Sequence, residues 1–101
     1  KMKHGGTALN ITLSSGFGTT KAIAEVSRNS SNLVRVGKNG VSLGTGTGSG
    51  TFGFEQIGAS TGASSLTSAT IFEVVIFSSL LSATDSEKVR NDIADRNSIS
   101  L

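Results

Sequence analysis

The chain has 101 residues, nine Lys or Arg against seven Asp or Glu, a formal charge of +2, and no Cys, Pro, Trp or Tyr. That length predicts one domain spanning residues 1–101. The near-balance of charge excludes the basic stripe of a nucleic-acid binder, and the lack of Cys excludes disulfides and thiolate metal sites. Ser, Thr and Gly fill 41 positions, and the 13 Gly follow no three-residue period, which excludes collagen.

No apolar run approaches the roughly 20 residues that span a bilayer, so no membrane insertion is expected. "KMKHGG" at 1–6 has no apolar centre and does not read as a signal peptide. The chain starts at Lys, so a trimmed, processed or fragmentary chain is among the expectations.

"TALNITL" at 7–13 alternates, with Leu9, Ile11 and Leu13 on one side, and predicts a half-buried strand. A turn cluster, "SSGFG", follows at 14–18. "TTKAIAEVSR" at 19–28 fits two patterns. As a strand it puts Ala22, Ala24 and Val26 on one face; as a helix it puts Ala22, Ile23 and Val26 in one stripe.

"LVRVGKNGVSLG" at 33–44 is the clearest local signal. Asn39-Gly40 suits a type I′ turn, whose two central residues both need positive φ. A two-residue loop then pairs Lys38 with Val41 and Val36 with Leu43. "GTGTGSG" at 44–50 is low-complexity, "TFGFEQIG" at 51–58 reads as a strand, and "ASTGASSLTS" at 59–68 as a polar loop.

"TIFEVVIFSSLLSATDSEKVRNDI" at 70–93 closes the chain's pattern. Ile71, Phe72, Val74, Val75, Ile76 and Phe77 are apolar at nearly every position, which predicts a strand covered on both faces. Ser82 opens a capping box with Asp85 at the third helical position. Val89 and Ile93 share one helix face and Asp92 sits four before Arg96, so a helix is expected over about 83–96.

The order and spacing of 33–58 and 70–93 resemble the laminin-G-like, or concanavalin A-like, lectin/glucanase jelly roll. The hairpin, a strand ending in Ile57-Gly58, a long loop, and a block carrying Ile71, Glu73, Val74, Ile76, Phe77, Leu81, Ser82 and Glu87 match that family's pattern. The resemblance implies an all-β fold: an antiparallel β-sandwich with a C-terminal helix. It also implies a strand rather than a helix at 19–28. The family's module is longer than this chain, so N-terminal strands are expected to be lacking here, or supplied by a partner chain. Phe77 stands where the family has Tyr, and Ser78-Ser79 where it has Asn and Arg.

Catalysis is not expected. Glucanases of that family resemble one another in a strand bearing two or three alternate acids, and a retaining pair needs carboxyls about 5 Å apart. Glu25, Glu55 and Glu73 instead fall on three separate segments, with Glu73 expected in a packing and hydrogen-bonding role. His4 is the sole imidazole and lies near the N-terminus, which leaves the many serines without an internal base. Both Gly-x-Gly patterns, at 16–18 and 48–53, lack the third glycine or the helix that a dinucleotide site needs, so no cofactor is expected. The loops 29–32, 44–50 and 59–68 contain no acid, so no metal is expected.

The resemblance implies carbohydrate binding. Asn29, Asn32, Arg35, Lys38 and Asn39 cluster around the hairpin and form the candidate polar rim; Phe52 and Phe54 are expected in the core. Together these features predict a non-catalytic binding or adhesion module. Its partner is a cell-surface glycan or a neighbouring structural subunit, with a homo-oligomer among the expected states. The location is a virion or a cell surface, because Cys-free, Ser/Thr/Gly-rich jelly rolls look like phage and bacterial surface proteins.

Overall fold

The structure is a computed structural model of the chain and describes residues 2–4, 7–9, 11–49 and 70–101. The elements run β1 (Met2–His4), β2 (Thr7–Leu9), β3 (Ala24–Arg28), β4 (Leu33–Lys38), β5 (Val41–Thr47) and α1 (Ala83–Asn97). β1 and β2 form a separate antiparallel pair with His4 opposite Thr7, while β3, β4 and β5 form a three-stranded antiparallel sheet in that order. The predicted strand at 7–13 is thus confined to β2, and Ile11–Leu13 lie outside any strand.

The hairpin between β4 and β5 forms because Asn39 and Gly40 adopt φ of 51° and 88°, the two positive values of a type I′ turn. Lys38 faces Val41, as the loop length predicts. One residue further the ladder shifts: Gly37 faces Ser42 but Val36 faces Gly44. Leu43 is the extra residue of a β-bulge, so the expected Val36–Leu43 pair becomes Val36 against Gly44. The bulge lets residues 11–14 cross β5. Ser14 N–H donates to the Leu43 carbonyl at 2.8 Å, and a Cβ at Gly44 would fall within 2.8 Å of the Ile11 side chain.

β3 settles the ambiguous segment as a strand only over its second half. Asn29 N–H donates to the Leu33 carbonyl and Asn39 N–H to the Ile23 carbonyl, which makes 23/39 and 29/33 hydrogen-bonded pairs at the two ends of the β3–β4 ladder. By alternation 25/37 and 27/35 are bonded pairs too, and the backbone groups of Ala24 and Val26 point away from β4. β3 is therefore an edge strand with an open side.

The fold is small α+β, not the expected all-β sandwich. A sandwich needs two sheets facing each other across an apolar interior. Only one sheet of more than two strands exists among the described residues, and one of its faces carries Glu25, Ser27 and Arg35, which meet a helix. The strand expected at 70–77 is absent: these residues belong to no ladder, and Ile71, Phe72, Val74, Val75, Ile76 and Phe77 are each 42–60% exposed. The strand expected at 51–58, with Glu55, Phe52 and Phe54, and the loop at 59–68 lie outside the described residues.

α1 matches its prediction closely. Ser82 is the N-cap and its hydroxyl accepts from Asp85 N–H at 3.1 Å, satisfying one of the free amides of the first turn. The helix ends at Ser98, whose φ of 54° is left-handed, and Ile99 N–H closes back on the Ala94 carbonyl at 2.9 Å. The apolar interior is thin: Ile23, Val34, Leu43 and Ala94 are the buried apolar residues among those described, and Val34 alone is fully enclosed.

Candidate functional site

Two concave regions flank the junction of sheet and helix. The smaller is a cleft of about 470 Å³ between the N-terminal half of α1 and the β3–β4 end of the sheet. Its polar wall is made by Ser27, Asn29, Arg35, Glu87 and Arg90, and its apolar wall by Leu33, Leu80 and Leu81. The alternation of β4 puts Arg35 on the helix side, away from Val34 and Val36.

Charge in the cleft is organised around Glu25. Arg90 Nε donates to Glu25 Oε1 at 2.5 Å, and Arg35 Nη1 lies 3.6 Å from Oε2. Oε2 is buried and accepts no hydrogen bond. Arg35 also donates from Nη2 to the Gly40 carbonyl at 3.0 Å. Two guanidinium groups thus share one buried carboxylate, which leaves the wall net cationic apart from Glu87 on the helix.

The five residues expected to form a polar rim are not brought together. Arg35 and Asn29 line the cleft; Asn32, Lys38 and Asn39 do not. Asn29 Oδ1 accepts from Ser31 N–H at 2.9 Å and Leu33 N–H at 3.0 Å, and so builds the turn into β4. Asn32 occupies the left-handed region at φ 63° in the same turn. Asn39 Oδ1 accepts from Ile23 N–H at 2.8 Å. Lys38 places its ammonium beside Gly18, where an added Cβ would lie 3.8 Å from Nζ. Three of the four amide or ammonium groups are thus spent on the hairpin's own architecture or directed elsewhere.

Sequence reasoning missed Glu25, Arg90, Ser27 and Glu87. Arg90 and Glu25 are separated by 65 positions, and no linear pattern joins them. The Asn39-Gly40 turn carries a trace of the contact. A Cβ at Gly40 would lie 2.9 Å from the Arg90 guanidinium carbon, so the glycine serves the helix contact as well as the turn.

The larger region is a groove of about 1010 Å³. β3 forms one wall, with Ala24 and Val26; residues 70–81 form the other; Val89 and Ile93 of α1 lie at its floor. Two tethers hold the 70–81 wall. Lys21 Nζ sits 4.2 Å above the centre of the Phe72 ring while donating to the Asn97 carbonyl at 2.9 Å. Glu73 accepts from Arg96 Nη2 at 2.6 Å, Arg96 Nε at 3.2 Å and Asn97 Nδ2 at 2.8 Å. The hydrogen bonds from Arg96 and then Asn97 hold the Glu73 carboxyl below the ordinary carboxylate range, and the same contact raises the Arg96 guanidinium. Glu73 therefore has a hydrogen-bonding role, though to α1 rather than within a strand, and Arg96 meets Glu73.

Among the described residues no cluster of three or more His, Asp or Glu is arranged to hold a metal, and no helix is long and apolar enough to cross a membrane. Comparison of the chain with protein-family models, with curated proteins and with solved structures gave no match.

Proposed function

We propose that this protein is a non-catalytic interaction module, an assembly subunit that binds another chain as an added β-strand in the groove between β3 and residues 71–77. The observation that carries the reading is the exposure of six large apolar side chains at 71–77 opposite the open edge of β3. A contiguous apolar patch of this kind marks an interaction surface. An extended peptide that enters a sheet edge gains main-chain hydrogen bonds along its length and side-chain pockets at alternate residues. The floor of the groove suits such a strand, because Val89 and Ile93 of α1 are only half-buried. The non-catalytic part rests on the sequence: the acids are dispersed and His4 is the sole imidazole. Composition supports a place in a virion or at a cell surface.

The test is binding of residues 70–77, fused to a soluble carrier, to the intact protein, followed by calorimetry. Saturable binding that fails with a Val26→Pro receptor supports strand addition. Proline at 26 removes an amide that points away from β4 and leaves the β3–β4 bonds in place. Equal binding by both receptors, or none, sinks the reading.

A second reading is favoured by the cleft at Arg35. A wall with two guanidiniums, the Ser27 hydroxyl and the Asn29 amide beside Leu33, Leu80 and Leu81 suits an acidic glycan. The resemblance of 33–93 to lectin-like modules points the same way. On a glycan array, hits confined to acidic sugars and lost in Arg35→Ala support it; an array without hits removes it. Asn39 is not a useful probe, because its side chain holds the Ile23 amide.

A further inference from the structure

We infer that the strand received by the groove is residues 71–77 of a second copy of this chain, exchanged reciprocally across a twofold axis. The inference rests on the strand-addition reading above and names its partner.

Four observations point to a second copy. First, the run lacks bonded neighbours. Among the described residues no backbone hydrogen bond reaches 71–77, and none reaches the outward side of Ala24 or Val26. Two unpaired edges therefore face one groove.

Second, the run is complementary to itself. Antiparallel pairing about Val74 sets Ile71 against Phe77 and Phe72 against Ile76, so large apolar side chains meet on both faces. The remaining pair is Glu73 with Val75. Glu73 is already neutralised by Arg96 of its own helix, so it does not act as the charge that usually guards an open edge. Pro, Lys and Arg, the other usual guards, are absent from 71–77.

Third, the topology closes. If the run of one copy lies between β3 and the run of the other, the reciprocal arrangement places the same four strands in the same order. The sheet then reads β5, β4, β3, partner run, own run, partner β3, partner β4, partner β5. A twofold maps this order onto itself, as an isologous dimer requires, and no unpaired edge is left in the groove to propagate a fibre.

Fourth, the area is right. Ile71, Phe72, Val74, Val75, Ile76, Phe77 and Leu80 are each 42–60% exposed. At about 200 Å² per large side chain, half exposure of seven amounts to on the order of 700 Å². A stable interface needs about 800 Å² from each partner, and the backbone and the floor of the groove contribute the remainder.

Multi-angle light scattering on the intact protein over a wide concentration range tests the inference. The expected mass is twice 10.3 kDa, falling to a single chain in Val75→Lys and in Val26→Pro. Circular dichroism of both variants should keep the wild-type β and helix signals. Val75 belongs to no ladder, so its variant isolates the interface from folding. A monomer at every concentration, a mass beyond the dimer, or a dimer that persists in Val26→Pro overturns the second-copy inference. The carrier-fused run separates the two ideas. Its binding to a monomeric protein leaves strand addition standing and removes the second copy; its failure to bind removes both.

Discussion

Arg90 on α1 and Glu25 on β3 meet at 2.5 Å, and this ion pair is the main polar bond between the helix and the three-stranded sheet. Both side chains are about four-fifths buried or more. The pair matters because the apolar contact beneath it is small, Ala94 being the one buried residue of the helix.

Removing Arg90 strands a buried carboxylate whose Oε2 already lacks a hydrogen bond. Arg90→Ala should destabilise the fold by about 1.5–3 kcal/mol, the range for hydrogen bonds to charged groups. The double variant with Glu25→Ala should recover part of that loss, because no unpaired charge remains. Chemical denaturation of the four proteins in the cycle checks this; strictly additive losses would contradict the pairing.

Gly40 carries two demands. Its φ of 88° belongs to the region that side chains avoid, and a Cβ there would meet the Arg90 guanidinium at 2.9 Å. Gly40→Ala should cost about 1–3 kcal/mol from backbone strain. Gly40→Ala combined with Arg90→Ala should show non-additivity, since the steric part vanishes with the guanidinium. Thermal melts of the single and double variants provide the measurement.

At Gly44 the obstacle is backbone. An added Cβ would meet the Thr12 carbonyl and the Ile11 side chain, neither of which is the free end of a flexible group. Gly44→Val should therefore detach residues 11–14 from the bulge and expose the Ser14 amide bonded to Leu43. Hydrogen exchange at the Ser14 amide should quicken strongly in this variant while the Lys38–Val41 pair stays protected.

The Glu73 tether depends on pH in a definite direction. Its folded carboxyl titrates below the ordinary carboxylate range because Arg96 and Asn97 donate to the ionised form. Its contribution is therefore complete above the unfolded carboxylate value and disappears as pH falls through the lowered folded value. The Asn97 side-chain amide resonances should shift through an acidic step in wild type, and that step should be missing in Glu73→Gln.

Ser98 pays a conformational penalty that glycine avoids. Its φ of 54° is left-handed at the helix end, where non-glycine residues lose about 1–2 kcal/mol. Part of the gain from glycine is offset by greater freedom in the unfolded chain. Ser98→Gly should raise stability by about 0.5–1 kcal/mol, visible as an increase in Tm with unchanged helix content.

Local chemistry made the hairpin and the helix readable. Asn39-Gly40 tolerates positive φ at two successive positions, and Ser82 with Asp85 starts a helix wherever the chain supplies one. These are interactions over two to four residues, and their energetics travel with the residues themselves. The candidate site was less legible. Of five proposed rim residues only Asn29 and Arg35 reach the cleft, because short polar side chains in turns bond to their own backbone first.

The residue order alone settles the type I′ turn, the cap at Ser82, the length of α1 and the lack of thiol chemistry. It does not settle what the apolar run at 71–77 packs against, since a continuous apolar stretch specifies burial but not the surface that supplies it. The tertiary arrangement decided that question for the described residues: Lys21 and Arg96 hold the run beside α1 and away from β3, leaving a groove between two unpaired edges. It also decided that Glu25 and Arg90, 65 positions apart, form the polar joint of the fold. Contacts of that range depend on where two independent elements dock, and no local periodicity carries that information.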